Sequence, residues 1–113
     1  MGITPHFTTN NILNTMDKSF EAIPLVEKET IGELKFPPAE VLLDKMAISE
    51  RTAALHHATS LGNLDHHKVN IYFEDTNGVK RVNTTIWAIT DKRILLKNGK
   101  SIPINRIHGV VII

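Results

Sequence analysis

The residues of this chain best suited to chemistry are its histidines and its cations. Six histidines occur, four of them as the pairs His56-His57 and His66-His67. Neutral imidazole is a good ligand for zinc or nickel, and a helix ending between the pairs could bring His57 near His66, with Asp65 able to bond one of them. Adjacent histidines on a helix diverge by about 100°, however, and neither pair has the i, i+4 spacing or the acidic partner of a metalloenzyme helix. Surface and helix-capping roles account for them better than a metal site does. Nucleophilic catalysis needs a nucleophile beside a base, and acid–base work needs two carboxylates in a cleft. Neither arrangement has a local signature here: Ser49 reads as a helix cap and Ser60 as helix surface. No enzymatic activity and no cofactor are expected.

The cations are unevenly placed. From Leu64 onward Lys68, Lys80, Arg81, Lys92, Arg93, Lys97, Lys100 and Arg106 stand against Asp65, Glu74, Asp75 and Asp91, a balance of +4, whereas residues 1 to 63 carry −3, giving the chain its net +1. A basic half permits an anionic partner, although a mixed solvated surface explains such a balance equally. Lys80, Arg81, Lys92, Arg93, Lys97, Lys100 and Arg106 fall at hairpin turns or on strands, and Tyr72 and Trp87 are the aromatics able to stack on a base beside them. That combination of a cationic rim with an aromatic platform is how small barrels hold RNA. Trp87, flanked by Ile86 and Ala88, reads as core. Arg106, beside a turn and a proline, could instead anchor a backbone carbonyl or a carboxylate such as Asp91. The expected partner is therefore RNA or an acidic protein surface.

The elements that must present these residues follow from periodicity. With 113 residues, 42% hydrophobic and 22% charged, the chain has the composition of one folded domain with one core. It has no cysteine, so disulfides and thiolate sites are excluded. Met1-Gly2-Ile3-Thr4-Pro5-His6-Phe7 shows neither a basic n-region nor an apolar h-region, and no run approaches the ~18 apolar residues that span a bilayer, so a cytoplasmic, membrane-free protein is expected.

Ile12, Leu13, Met16 and Phe20 predict an amphipathic helix over residues 10 to 22, ended by Pro24. Leu25 to Phe36 reads as extended chain packed on the core. Pro37-Pro38 presets a second helix carrying Val41, Leu42 and Met46, with a break near Ile48. Ser49 then caps a third, which presents Leu55, Ala58 and Leu61 and stops at Gly62-Asn63; Ala53, Ala54 and Ala58 let it lie close against a sheet.

After Asp65 the period changes from 3.6 to 2. Val69, Ile71 and Phe73 alternate with polar neighbours, and Asn77-Gly78 suits a type I′ hairpin turn. Val79 to Thr90 is a long strand, apolar on both faces at Ile86 to Ile89, as befits a strand bending from one sheet into another. Arg93 to Lys97 and Lys100 to Ile104 follow around Asn98-Gly99, and Asn105-Arg106 turns once before Ile107 to Ile113. The class expected is α+β: N-terminal helices (1 to 63) packed on a C-terminal five-stranded antiparallel meander (64 to 113) forming a small barrel.

The run Trp87-Ala88-Ile89-Thr90-Asp91-Lys92-Arg93-Ile94-Leu95-Leu96-Lys97, with Ile102-Pro103-Ile104-Asn105-Arg106-Ile107-His108-Gly109-Val110 after it, resembles the hairpin and closing strand of bacterial PH-like (GRAM-type) domains. The strand, 3₁₀ turn, strand ending is similar in architecture to Sm-like and other SH3-like small barrels. PH-like domains close with a C-terminal helix, so helices followed by five strands fit the SH3/Sm-like description better. Either resemblance implies a binding module for proteins, RNA or lipid head groups, and no family residue is carried over. The terminal Val110-Val111-Ile112-Ile113, apolar on both faces, either fills the barrel or pairs with another copy as a homo-oligomer.

Overall fold

The computed structural model describes residues 23–112, so the helix expected over residues 10 to 22 lies outside the described residues. Within them the meander forms, with its long strand divided. β1 (Val69–Asp75) pairs with β2 (Gly78–Thr84), the chain bends at Thr85, and β3 (Ile86–Ile89) pairs with β4 (Arg93–Leu96). β4 pairs with β5 (Ser101–Pro103); a 3₁₀ turn, Ile104–Arg106, then leads to β6 (Ile107–Ile112), which returns antiparallel to β1.

The result is two three-stranded antiparallel sheets, ordered β2-β1-β6 and β3-β4-β5. Among the described residues no ladder joins β5 to β6. β5 is three residues long and ends on Pro103, which has no N–H to give a neighbouring strand. At both hairpin corners only the glycine, Gly78 (φ 131°) or Gly99 (φ 86°), takes a positive φ. The type I′ turn expected at Asn77-Gly78, which needs two such residues, is therefore replaced by a turn whose single positive-φ position follows the asparagine, and the corner at Asn98-Gly99 is alike.

One continuous helix, α1 (Lys45–Asp65), replaces the two expected between residues 38 and 61. Asp44 starts it by accepting from the Met46 N–H, and Ile48 already donates to the Asp44 carbonyl, so no break occurs at Ser49. Pro38 starts no helix, because residues 38 to 42 are fastened elsewhere. Asn105 Nδ2 donates to the Pro38 carbonyl (2.6 Å), Arg106 to the Ala39 carbonyl (2.7 Å), and Val41 N–H to the Asn105 carbonyl (3.0 Å). Likewise residues 25 to 36 are not simply extended. Leu25 bridges Arg81 on the edge of β2, and Lys28–Glu33 winds into a 3₁₀ helix that buries Ile31.

The buried stripe of α1 is Ala47, Arg51, Ala54, Leu55, Ala58, Thr59 and Gly62, a face of small residues laid across β3 and β6. Ala54 and Ala58 give the close approach expected of them, and Ala53 faces solvent. Beneath them the sheets share one core that includes Ile71, Phe73, Val82, Ile86, Ile94, Leu96, Ile102, Ile107 and Val110. Each such side chain contributes about 1.5–3 kcal/mol of transfer free energy. Both apolar faces of the final strand find partners within the chain, with Val111 and Ile112 left half-buried. Val110 enters the core, and Val111 packs with Ile23, Tyr72 and Val79 on the other side of the sheet.

Gly62 does not end α1. The helix runs on to Asp65, and His66 takes the left-handed conformation (φ 55°) that closes it, its N–H on the Gly62 carbonyl. A side chain in that region costs about 1–2 kcal/mol. His66→Gly is therefore expected to raise the midpoint of urea unfolding, with a gain of about 0.5–1 kcal/mol after the added freedom of the unfolded chain. No described helix is long and apolar enough to cross a membrane.

Candidate nucleic-acid interface

The basic residues divide into those the fold consumes and those it leaves in water. Lys80 Nζ lies 2.9 Å from Asp75 Oδ1, and Arg81 Nε donates to the Ile23 carbonyl at 3.2 Å. Arg106 is buried. It donates from Nε to the Glu74 carbonyl (3.1 Å) and from one terminal nitrogen to the Ala39 carbonyl, with the Glu74 carboxylate at 4.0 Å. The anchoring role foreseen for it is the one found, although its acidic partner is Glu74 and not Asp91. Tyr72, only 2% exposed, sits between the sheet and Ile23, where it offers no stacking face.

Lys92, Arg93, Lys97 and Lys100 are exposed, and all four belong to the β3-β4-β5 sheet or its turns. Lys100 folds back, its ammonium 3.1 Å from where a Cβ on Gly32 would stand. Arg93 is held on the outer face by a bond from Nε to Ser101 Oγ (2.8 Å). Side chains alternate along a strand, so Arg93, Leu95 and Lys97 share that face. Lys92 stands in the adjoining turn, where Thr90 Oγ1 accepts from the N–H groups of Lys92 and Arg93.

Trp87 joins them. The ladder runs Ile86↔Leu96 and then Ala88↔Leu95, which leaves Trp87 as the extra residue of a β-bulge. A bulge re-aims a side chain; here it spares Ile86 and Ile94 for the core and turns Trp87 outward, 45% exposed, beside Leu95 at 39%. The reading of Trp87 as core is thus overturned. Four successive apolar residues, Ile86 to Ile89, cannot alternate without either a second covered face or an irregularity, and that run was the available signal.

Two clefts flank this face. One, of about 430 Å³, is lined by Gly62, Asn63 and His66 from the end of α1 and by Trp87, Ala88 and Leu95 from the sheet. The other, of about 460 Å³, lies between Asp91, Lys92 and Arg93, the Pro103 to Asn105 segment, and the pair Glu40 and Arg51. Arg51 donates through both terminal nitrogens to the Glu40 carboxylate (2.6 and 2.8 Å) and also to the Ile107 carbonyl (3.0 Å). Sequence reasoning passed over this ion pair, because residues 11 apart, with an ordinary helix pattern around one of them, carry no pairing signal.

Burial pushes the Glu40 carboxyl upward, but the bonds from Arg51 and from the Leu42 N–H, with the Arg51 charge, outweigh it and leave the group below its ordinary value. At Asp75 burial acts in the same direction and is again outweighed, by Lys80 and the Asn77 N–H. Carboxyls lowered in the folded state supply stability that is complete above the unfolded value, about 4 for Asp and Glu, and is lost as pH falls through the folded value. Thermal melts are therefore expected to hold steady from pH 7 to 5 and to fall below about pH 4; in Glu40→Gln and Asp75→Asn variants that acid dependence should flatten.

His56, His57 and His66 are exposed and His67 half-buried, and among the described residues no group of three or more His, Asp or Glu side chains could hold a metal ion. Comparison with protein-family models, with curated proteins and with solved structures gave no match.

Proposed function

We propose that this protein is a non-enzymatic binding module that holds single-stranded RNA on the outer face of its β3-β4-β5 sheet. One observation carries the reading: a bulge delivers Trp87 to the same exposed surface as Arg93 and Lys97, with Lys92 in the adjoining turn. An aromatic face with cations around it is the minimum that unpaired nucleic acid recognises without regard to sequence. Tyr72, Lys80, Arg81 and Arg106 have no part in this version of the interface, and Lys100 stands at its margin.

The architecture we read beneath this site is an open SH3/Sm-like barrel. The order β6-β1-β2 continues through the Thr85 bend into β3-β4-β5, and the 3₁₀ turn spans its two unjoined ends. In an arrangement of this kind the outer sheet face is free to bind, because the core is filled from within.

Charge reversal tests the proposal. Lys92→Glu, Arg93→Glu and Lys97→Glu, made singly, are each expected to weaken binding of a short unstructured RNA several-fold and to lower the salt dependence of affinity by roughly one released ion. Wild-type protein with no affinity for RNA at low salt would sink the reading, as would a triple variant that binds equally well. A second reading, an assembly subunit without nucleic acid, is favoured by Leu43 (95% exposed) and Met46 at the start of α1. Removing large exposed apolar groups there should then abolish a stoichiometric protein complex and leave RNA affinity unchanged.

A further inference from the structure

We infer that the cleft between Trp87 and the last turn of α1 is a nucleobase pocket, which takes one unpaired base carrying an exocyclic amino group. The inference rests on the RNA reading above and names what that surface would select.

The cleft is of a size for a small planar group: about 430 Å³, within the roughly 300–1,000 Å³ of small-molecule clefts. One wall is the exposed indole of Trp87 with Leu95 and Ala88, which offers a π surface and an apolar bed. The other wall is polar and belongs to a helix C-terminus. Asn63 presents an amide with both donor and acceptor capacity, and the final carbonyls of α1 carry the negative end of the helix dipole. No basic residue stands in the last turn of α1 to balance that end. A hydrogen-bond donor is therefore welcome there, and the exocyclic N–H₂ groups of adenine, cytosine and guanine are such donors, whereas uracil has no amino group and its one donor, N3–H, lies between two carbonyls that the helix end repels.

The wall is rigidly placed. Gly62 allows α1 to touch the β3 backbone at Ile86, and Thr85 Oγ1 donates to the His66 carbonyl at 3.3 Å, so the helix end and the Trp87 bulge cannot drift apart independently. Charge complementarity fixes the occupant. Arg93 in β4 and Lys97 in the turn just after it lie on either side of Leu95, each about 7 Å from it along the chain, where the phosphates flanking a base held by Trp87 would pass. An apolar side chain from a protein partner could use the indole, but it would leave Asn63, the helix end and both cations without a role.

Trp87 is the chain's single tryptophan, so its fluorescence reports on this pocket alone. Short oligo-A, oligo-C and oligo-U RNAs are titrated into the full chain, with fluorescence and an independent anisotropy signal from the labelled RNA both recorded. Oligo-A and oligo-C should quench Trp87 and bind about tenfold tighter than oligo-U. Trp87→Ala should lose about tenfold or more in oligo-A affinity, with Trp87→Phe recovering part of it, and Asn63→Ala should narrow the gap between oligo-A and oligo-U. Both positions are exposed, so circular dichroism and melting of these variants should match wild type. RNA that binds by anisotropy with no quenching, no base preference and no loss in Trp87→Ala would overturn the pocket and leave the RNA-binding reading standing. Absence of any RNA binding would overturn both, and quenching by an apolar peptide and not by RNA would overturn the pocket.

Discussion

Replacing Glu40 by alanine is expected to destabilise the fold by about 3–5 kcal/mol, the cost of stranding a buried charge. Arg51 is 3% exposed and directs both terminal nitrogens at that carboxylate, so without it only the Ile107 carbonyl remains as an acceptor. The loss is not confined to one pair, since the Leu42 N–H also donates to Glu40. Residues 38 to 42 would keep only their bonds to Asn105 and Arg106. The reciprocal change should cost less, because the Glu40 side chain is 31% exposed and can hydrate once Arg51 is gone. Urea unfolding of Glu40→Ala, Arg51→Met and the double variant decides the matter. Glu40→Ala should be the worst of the three, and the double variant should recover much of the loss, giving a coupling that additivity cannot explain. Equal and additive losses would show that the pair is solvated and unimportant.

Gly62→Val is expected to cost about 3 kcal/mol or more, through overpacking. A Cβ at Gly62 would collide with the Ile86 carbonyl oxygen and stand 3.0 Å from Thr85 Cγ2. Neither neighbour can move cheaply: Ile86 is backbone at the start of β3, and Thr85 is the bend between the two sheets, its carbonyl accepting from the Lys97 N–H (3.0 Å). The helix would have to lift from the sheet along its last two turns. Ala53→Val, on the solvent side of the same helix, should cost under about 1 kcal/mol, because only intrinsic helix preference is at stake there. Since the strained contact lies under the Trp87 cleft, a folded remnant of Gly62→Val should also show altered Trp87 emission. A melting temperature matching wild type would mean that the helix sits further from β3 than the geometry has it.

Both changes act on residues whose importance could not be read along the chain. Glu40 looked like one more surface acid before a helix. Gly62 looked like a helix stop, which is the commoner use of glycine near a C-terminus. Its true function is proximity, and proximity to Ile86 exists only once the chain has returned through β1 and β2. The helix consequently ends three residues later, where His66 accepts a strained backbone in order to close it.

The candidate site divides in the same way. Lys92, Arg93, Lys97 and Lys100 could be found from sequence because turns and alternate strand positions are exposed by local geometry, whatever the tertiary contacts. Arg81 and Arg106 could not be told from them, since their absorption depends on carbonyls of Ile23, Glu74 and Ala39, 32 to 67 residues away. Tyr72 and Trp87 exchange places for a related reason. Tyr72 lies at an outward position of β1 but is covered by Ile23 and Val111, whereas Trp87 lies in an apolar run but is turned out by a bulge.

Near neighbours along the chain set the features governed by period and by single residues: alternation beyond Val69, glycine at both hairpin corners, the bend in a strand too long and too apolar for one sheet, and a helix lined with alanine. These depend on near neighbours, and a period of 2 or 3.6 buries a face regardless of what covers it. Tertiary structure alone decided that the meander would part into two sheets, which cations would be spent on carbonyls, and which aromatic would meet water. Each of those outcomes is set by a partner far along the chain, and pairing across such distances is a property of the packed core that no local pattern encodes.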